Sequence, residues 1–86
     1  MYQDDDDDEH TRSQRERLLR ALRDARADGR PVTVPEILAM GIAAFGRRIS
    51  ELRQLGCVIR NRMRRGKGGK IHSDYHLVFD PWKERR

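Results

Sequence analysis

The sequence predicts an α+β domain in which three helices are followed by a two-stranded β-hairpin. Three observations carry this expectation. Up to Gly56, apolar residues recur at helical spacing in three stretches that each end at a glycine; after Gly56 the apolar period drops to two. The two alternating stretches are joined by a basic, glycine-bearing segment, "RNRMRRGKGGK", at residues 60–70.

The first stretch, "TRSQRERLLRALRDARADG", is amphipathic. Leu18, Leu19, Leu22 and Ala25 follow the i, i+1, i+4, i+7 spacing of one buried face. Thr11 and Ser13 each open a capping-box pattern, and Gly29 and Pro31 close the segment. Arginines 12, 15, 20, 23 and 26 fill the rest of its surface, where some pair with Glu16 or Asp24 along the helix.

The second helix begins at "VTVPEI". Thr33 caps it, Glu36 closes the box at N3, Pro35 is tolerated in the first turn, and Val32 with Ile37 forms a hydrophobic staple. Gly41 stops it after about seven residues.

"AAFGRRISELRQLG", residues 43–56, is the third helix. Phe45, Ile49 and Leu52 share one face, and Ala43, Arg47, Ser50 and Gln54 lie opposite. Its start lacks a good cap, since Ile42 and Ala43 offer no side-chain acceptor.

Two strands, "CVIRNRM" and "IHSDYHLVF", complete the domain. In the second, Ile71, Ser73, Tyr75, Leu77 and Phe79 share one parity and His72, Asp74, His76 and Val78 the other. The final "DPWKERR" is expected to be a short end in which Trp82 covers the core.

A chain of 86 residues has room for one small domain, which buries only about 60–65% of the surface its unfolded form exposes. Residues 1–10 are expected to form a disordered acidic arm, residues 11–80 the domain and residues 81–86 a tail. The arm carries Asp4 to Asp8 and Glu9, which leaves 19 bases against 8 acids in residues 11–86. Stripped of the arm, the domain is strongly basic, a balance that favours polyanionic partners. The arm either competes with phosphate for the binding face or is a solvated tail.

Cys57 has no partner for an internal disulfide, so a reducing compartment is expected. No apolar run approaches the ~18 residues of a membrane span, and the acidic N-terminus does not read as a signal peptide. The expected location is the cytoplasm.

Helix, short capped helix, tight turn, third helix with a basic outer face and then a glycine-tipped basic hairpin is the layout of a winged helix-turn-helix domain. In that layout the third helix enters the major groove and the hairpin, the wing, lies along the backbone. The string "GIAAFGRRISELRQLGCVIRNR" resembles the phage-type helix-turn-helix domains, whose recognition helix reads roughly R-I-x-E-L-R-x-x-G before an apolar strand. Here the match is Arg48, Ile49, Glu51, Leu52, Arg53 and Gly56, then Val58 and Ile59. The resemblance covers about residues 14–79 and implies binding of double-stranded DNA, transcription regulation in a phage or integrated element, and a host bacterial cytoplasm. One departure is that position 47 is Arg where the helix-turn-helix template has an apolar residue; the core residue comes at Ile49, which implies a longer turn or a shifted helix start.

Roles follow from side-chain chemistry. Arg47 is placed to make either a bidentate contact to guanine or a phosphate contact, with Ser50 and Gln54 adding polar contacts. Ala43 and Ala44 stand at the helix start facing the same groove. Arg48 is expected to clamp phosphate. Glu51 either accepts from a cytosine amino group or pairs with Arg47 at i, i+4. Arg53 is read as structural. In the wing, Arg62, Arg64, Arg65, Lys67 and Lys70 supply charge and Gly66, Gly68 and Gly69 permit close backbone approach. About six phosphates neutralised would make log affinity fall with log salt at a slope near −5.

Enzyme function is not expected. "GKGGK" lacks the P-loop spacing and is followed by a strand, no C-x-x-C or H-E-x-x-H occurs, and His72 and His76 sit ~13 Å apart along one strand, too far to share a metal. No cofactor is implied. The competing readings are an excisionase-like factor that bends DNA in recombination and a winged-helix module that binds a host protein; double-stranded RNA is a further partner considered. No dimerisation helix is visible, so the expected state is a monomer or a DNA-induced oligomer.

Overall fold

The computed structural model describes residues 9–84. Residues 1–8 of the expected acidic arm, and Arg85 and Arg86 of the expected tail, lie outside them. In chain order the elements are α1 (Glu9–Ala27), β1 (Val32–Thr33), α2 (Val34–Ala39), α3 (Phe45–Gln54), β2 (Val58–Arg65) and β3 (Ile71–Phe79). The fold is α+β, with three helices and one three-stranded antiparallel sheet of strand order β1-β3-β2. The sheet is one strand larger than expected. β1 is only two residues long, too short for any periodicity of its own, and it takes its pairing from β3, with Val32 opposite Tyr75 and Thr33 opposite Asp74.

The register of the sheet sorts its side chains into two faces. Ile59 lies opposite Leu77 and Asn61 opposite Tyr75, so these residues and Val32 share an inner face. Val32, Ile59, Tyr75 and Leu77 form one buried cluster with Leu18, Leu22 and Ala25 of α1, Ile37 of α2, Ile42 of the turn, and Ile49 and Leu52 of α3. Leu18, Ile37 and Ile42 are fully buried. Truncating such a side chain to alanine costs about 2–5 kcal/mol through lost transfer energy and the cavity left behind.

All three helices close in the same way. The N–H of Arg30, Ile42 and Cys57 reaches back to the carbonyl of Ala25, Ile37 and Leu52 respectively, while the preceding glycine bonds three residues back. This is the Schellman closure, and it needs a left-handed residue. Gly41 and Gly56 supply it with φ of 82° and 109°. The closure also tucks Ile42 and Cys57 into the core beside the helices they terminate, which is why helix ends and core formation are the same event here. Burial raises the Cys57 thiol pKa above its ordinary value.

Helix α2 starts as its sequence demands: Glu36 N–H donates to Thr33 Oγ1, and Thr33 N–H donates to Glu36 Oε1 at 2.8 Å. Helix α1 begins at Glu9, upstream of the expected start, so Thr11 and Ser13 lie inside the helix and do not cap it. The expected boundary between arm and domain therefore falls within α1.

Residues 80–84 are tied to α1. Arg23 donates from Nε to Asp80 Oδ2 at 2.5 Å and from Nη2 to Oδ1 at 3.2 Å. Trp82 N–H donates to Asp80 Oδ1, the Glu84 carboxylate accepts from Asp80 N–H, and Arg26 pairs with Glu84. Trp82 does not cover the core as expected. It is 54% exposed, with the Arg23 guanidinium 5.7 Å from its ring centre. The Arg23 hydrogen bond, helped by the Trp82 N–H, holds the buried Asp80 carboxyl below its ordinary pKa.

Two outcomes are expected. Gly56→Ala combines a strained φ with a Cβ placed 3.3 Å from Pro81 Cγ, and should lower stability by about 1 kcal/mol or more in urea denaturation. Because the folded pKa of Asp80 is depressed, its stabilisation is complete above the unfolded value of about 3.9 and is lost as pH falls through the lower folded value. The stability difference between the parent and Asp80→Asn should hence stay constant from pH 8 to about pH 5 and shrink below about pH 4. A difference that stays flat below pH 4 would show the Arg23 contact to be unimportant.

Candidate nucleic-acid interface

Helix α3 is held from three sides by side chains of its own sequence. At its start Phe45 meets Tyr75 of β3 edge-on, with ring centres 6.3 Å apart and planes at 64°. Along its length Ile49 and Leu52 enter the core. At its end Arg53 donates from Nη2 to the Ile59 carbonyl at 2.7 Å, so its structural reading holds and it links α3 to the base of β2.

A fourth tie is ionic. Glu51 Oε1 accepts from Arg15 of α1 at 3.3 Å, and Arg48 Nη2 lies 3.1 Å from Glu51 Oε2 without hydrogen-bond alignment. This arrangement overturns two expectations. Arg48 is only 4% exposed and so is not a surface clamp for phosphate. Glu51 is turned to α1 and to Arg48, not outward to a base. An i, i+3 neighbour and a helix 36 residues away in sequence compete for the carboxylate, and helical spacing alone does not reveal the second.

Arg47, Ser50 and Gln54 lie on the outward face of α3, all exposed and spaced i, i+3, i+7. The helix begins at Phe45, two residues later than expected. Ala44 is its N-cap without a side-chain hydrogen bond, and Ala43 sits in the preceding turn. The weak cap read from the sequence and the late position of Ile49 have this common cause: no acceptor at 42–44 stabilises an earlier turn.

The hairpin is longer in strand and shorter in loop than expected. β2 continues through Arg65, which pairs with Ile71, so Arg64 and Arg65 belong to the strand. Gly66 N–H donates to the Lys70 carbonyl at 2.6 Å and closes the loop. Lys67 and Lys70 are exposed at the tip, where Gly68 and Gly69 take left-handed conformations. Gly66 differs from these: a Cβ there would lie 2.5 Å from His72 Nε2 and displace the ring.

Register then divides the hairpin's charges. Met63 opposite Ser73 and Arg65 opposite Ile71 continue the inner face, the side on which α3 lies, since Tyr75 of that face touches Phe45. Arg60 opposite His76, Arg62 opposite Asp74 and Arg64 opposite His72 form the outer face. Arg62 and Arg64, expected to act together with Arg65, point away from it. Arg64 Nε donates to Asp74 Oδ2 at 2.8 Å, which anchors the arginine through its inner nitrogen while its side chain stays 59% exposed.

Sequence reading missed two features. Asp74 is buried and serves as that anchor, whereas its place in an alternating strand marked it only as an ordinary strand residue. Met63 and Ile71 are 65% and 63% exposed on the inner face next to Arg65; the signal was their shared parity with Tyr75, beyond the point where α3 covers the strand.

Among the described residues no helix is long and apolar enough to cross a membrane, and no cluster of three or more His, Cys, Asp or Glu side chains could hold a metal ion. The chain matches no family model, no curated protein and no solved structure.

Glu51→Ala is expected to lower stability by about 3 kcal/mol, since it leaves Arg48 buried without its counter-charge. Urea denaturation measures this. A loss below about 1 kcal/mol, the range of exposed pairs, would show the network to be solvated.

Proposed function

We propose that this chain is a winged helix-turn-helix protein that binds double-stranded DNA, with α3 in the major groove and the tip of the β2–β3 hairpin on the adjoining backbone. One observation carries the reading. The outward face of α3, with Arg47, Ser50 and Gln54, and the inner face and tip of the hairpin, with Arg65, Lys67 and Lys70, open to the same side of the sheet, and Phe45 against Tyr75 joins them. Within the hairpin, residues 58–79, six bases stand against the single acid Asp74. That acid is buried and already engaged by Arg64, so within the hairpin no carboxylate is left to compete with phosphate.

In this reading Arg47 is the base-reading side chain, Ser50 and Gln54 add polar contacts, and Arg65, Lys67 and Lys70 hold phosphates. Regulation of transcription in a phage or mobile element is the process it fits. A second reading, a recombination factor that bends DNA, is favoured by Met63 and Ile71, an exposed apolar pair beside the helix of the kind that wedges between base steps. Circular-permutation gel shifts separate the two, since a bend made by this wedge is lost in Met63→Ala whereas one made by backbone contacts survives.

The primary test is anisotropy of a labelled duplex across a salt series. With Arg65, Lys67 and Lys70 on the backbone of one duplex, about three phosphates are neutralised, and the slope of log affinity against log salt should be about −2.7, shallower than the −5 of a six-contact interface. A flat dependence would exclude the proposal. In duplex selection from random sequence, Arg47→Ala should relax preference at one base pair by about 1–3 kcal/mol and leave the others unchanged.

A further inference from the structure

Three arginines alternate along β2, and their register sets all of them on the face of the sheet that α3 does not occupy. Arg60, Arg62 and Arg64 are exposed, and at ~3.3 Å per residue they span about 13 Å in steps of about 6.6 Å. β2 is an edge strand, so this row lies along the margin of the sheet where a rod-shaped partner can approach. The only acid on that face among the described sheet residues is Asp74, which is buried and takes the Arg64 Nε. Arg64 is thereby held at Nε while its side chain stays 59% exposed. Opposite the row stand the partly exposed imidazoles of His72 and His76.

From this geometry we infer that the outer sheet face is a second binding surface for the phosphate backbone of double-stranded DNA, and that one copy of the chain can hold two duplexes at once. The inference rests on the DNA-binding reading of α3 and the hairpin tip. Its independent support is the position of Arg60. That residue neighbours Ile59, whose partner across the sheet is the buried Leu77, and so it stands at the level of the core. Its backbone adjoins the end of α3 through the Arg53–Ile59 contact, but its side chain lies on the opposite face of the sheet. A hairpin tip can enter one groove and touch both of its walls, but Arg60 lies too far back along the strand to take part. Charges on an edge strand also discourage strand pairing between copies. Three arginines in a row add what that purpose does not require, a set of planar forks that match phosphate oxygens.

The experiment is a bridging assay with the full chain. A duplex is fixed on beads, a second labelled duplex is offered, and its retention is measured beside the anisotropy of a single duplex. The parent should retain the second duplex. Arg60→Glu should reduce that retention about ten-fold, the order expected for one lost phosphate contact and one added repulsion, and leave single-duplex affinity within about two-fold. Arg60→Lys, which keeps the charge, should retain most of the bridging. A parent that binds one duplex and never the second overturns the inference alone, as does bridging that survives Arg60→Glu, which would assign it to association between copies. An equal loss of both signals in Arg60→Glu would return Arg60 to the first interface and also overturn it. A parent without affinity for a single duplex overturns the DNA-binding reading as well.

Discussion

Ile59 of β2 lies opposite Leu77 of β3, and both are buried with the apolar faces of the helices. That pair holds the register of the hairpin, because a slip by one residue would move every β2 side chain to the other face and expose Ile59 to water. The whole surface chemistry of the molecule hangs on it. In the native register Arg65 lies on the side of α3 and Arg60, Arg62 and Arg64 lie on the far side. The same central strand pairs with β1 on its other edge, so Tyr75 is fixed from both sides before Phe45 of α3 rests against it.

Arginine in this chain does two kinds of work that composition cannot separate. Arg15, Arg23, Arg26, Arg48 and Arg53 hold the fold together through carboxylates or a backbone carbonyl. Two of these contacts join segments far apart in sequence: α1 to the C-terminal turn through Asp80, and α1 to α3 through Glu51. A small domain with a limited core has reason to use them, since each closes a long loop around few apolar residues. The remaining basic surface is therefore smaller than the number of basic residues suggests.

Much of the fold was legible because its signals are local. The Thr33–Glu36 capping box, the helix-closing glycines and the alternation of "IHSDYHLVF" each act within a few residues, and each produced the element it implied. What failed to show were contacts set by distance in space. β1 exists only because β3 lies beside it, and the engagement of Arg48 and Glu51 depends on the approach of α1. For the candidate site, the outward set Arg47, Ser50 and Gln54 followed from helical spacing, whereas the division of the hairpin arginines required a register. The start of α3 was misplaced by two residues because nothing in the sequence at 42–44 marks a cap.

By itself the sequence determined the order and kind of the main elements, the apolar residues that close on one another, and the basic character of the hairpin, because periodicity, capping and charge are properties of neighbours along the chain. Only the tertiary structure decided which arginines are ties and which are surface, that Asp74 and Asp80 are buried anchors, and that the basic stretch at 60–70 presents two faces. Those outcomes depend on which strand pairs with which and at what offset, and a pairing register is chosen by the burial of residues such as Ile59 and Leu77 that stand far apart in sequence.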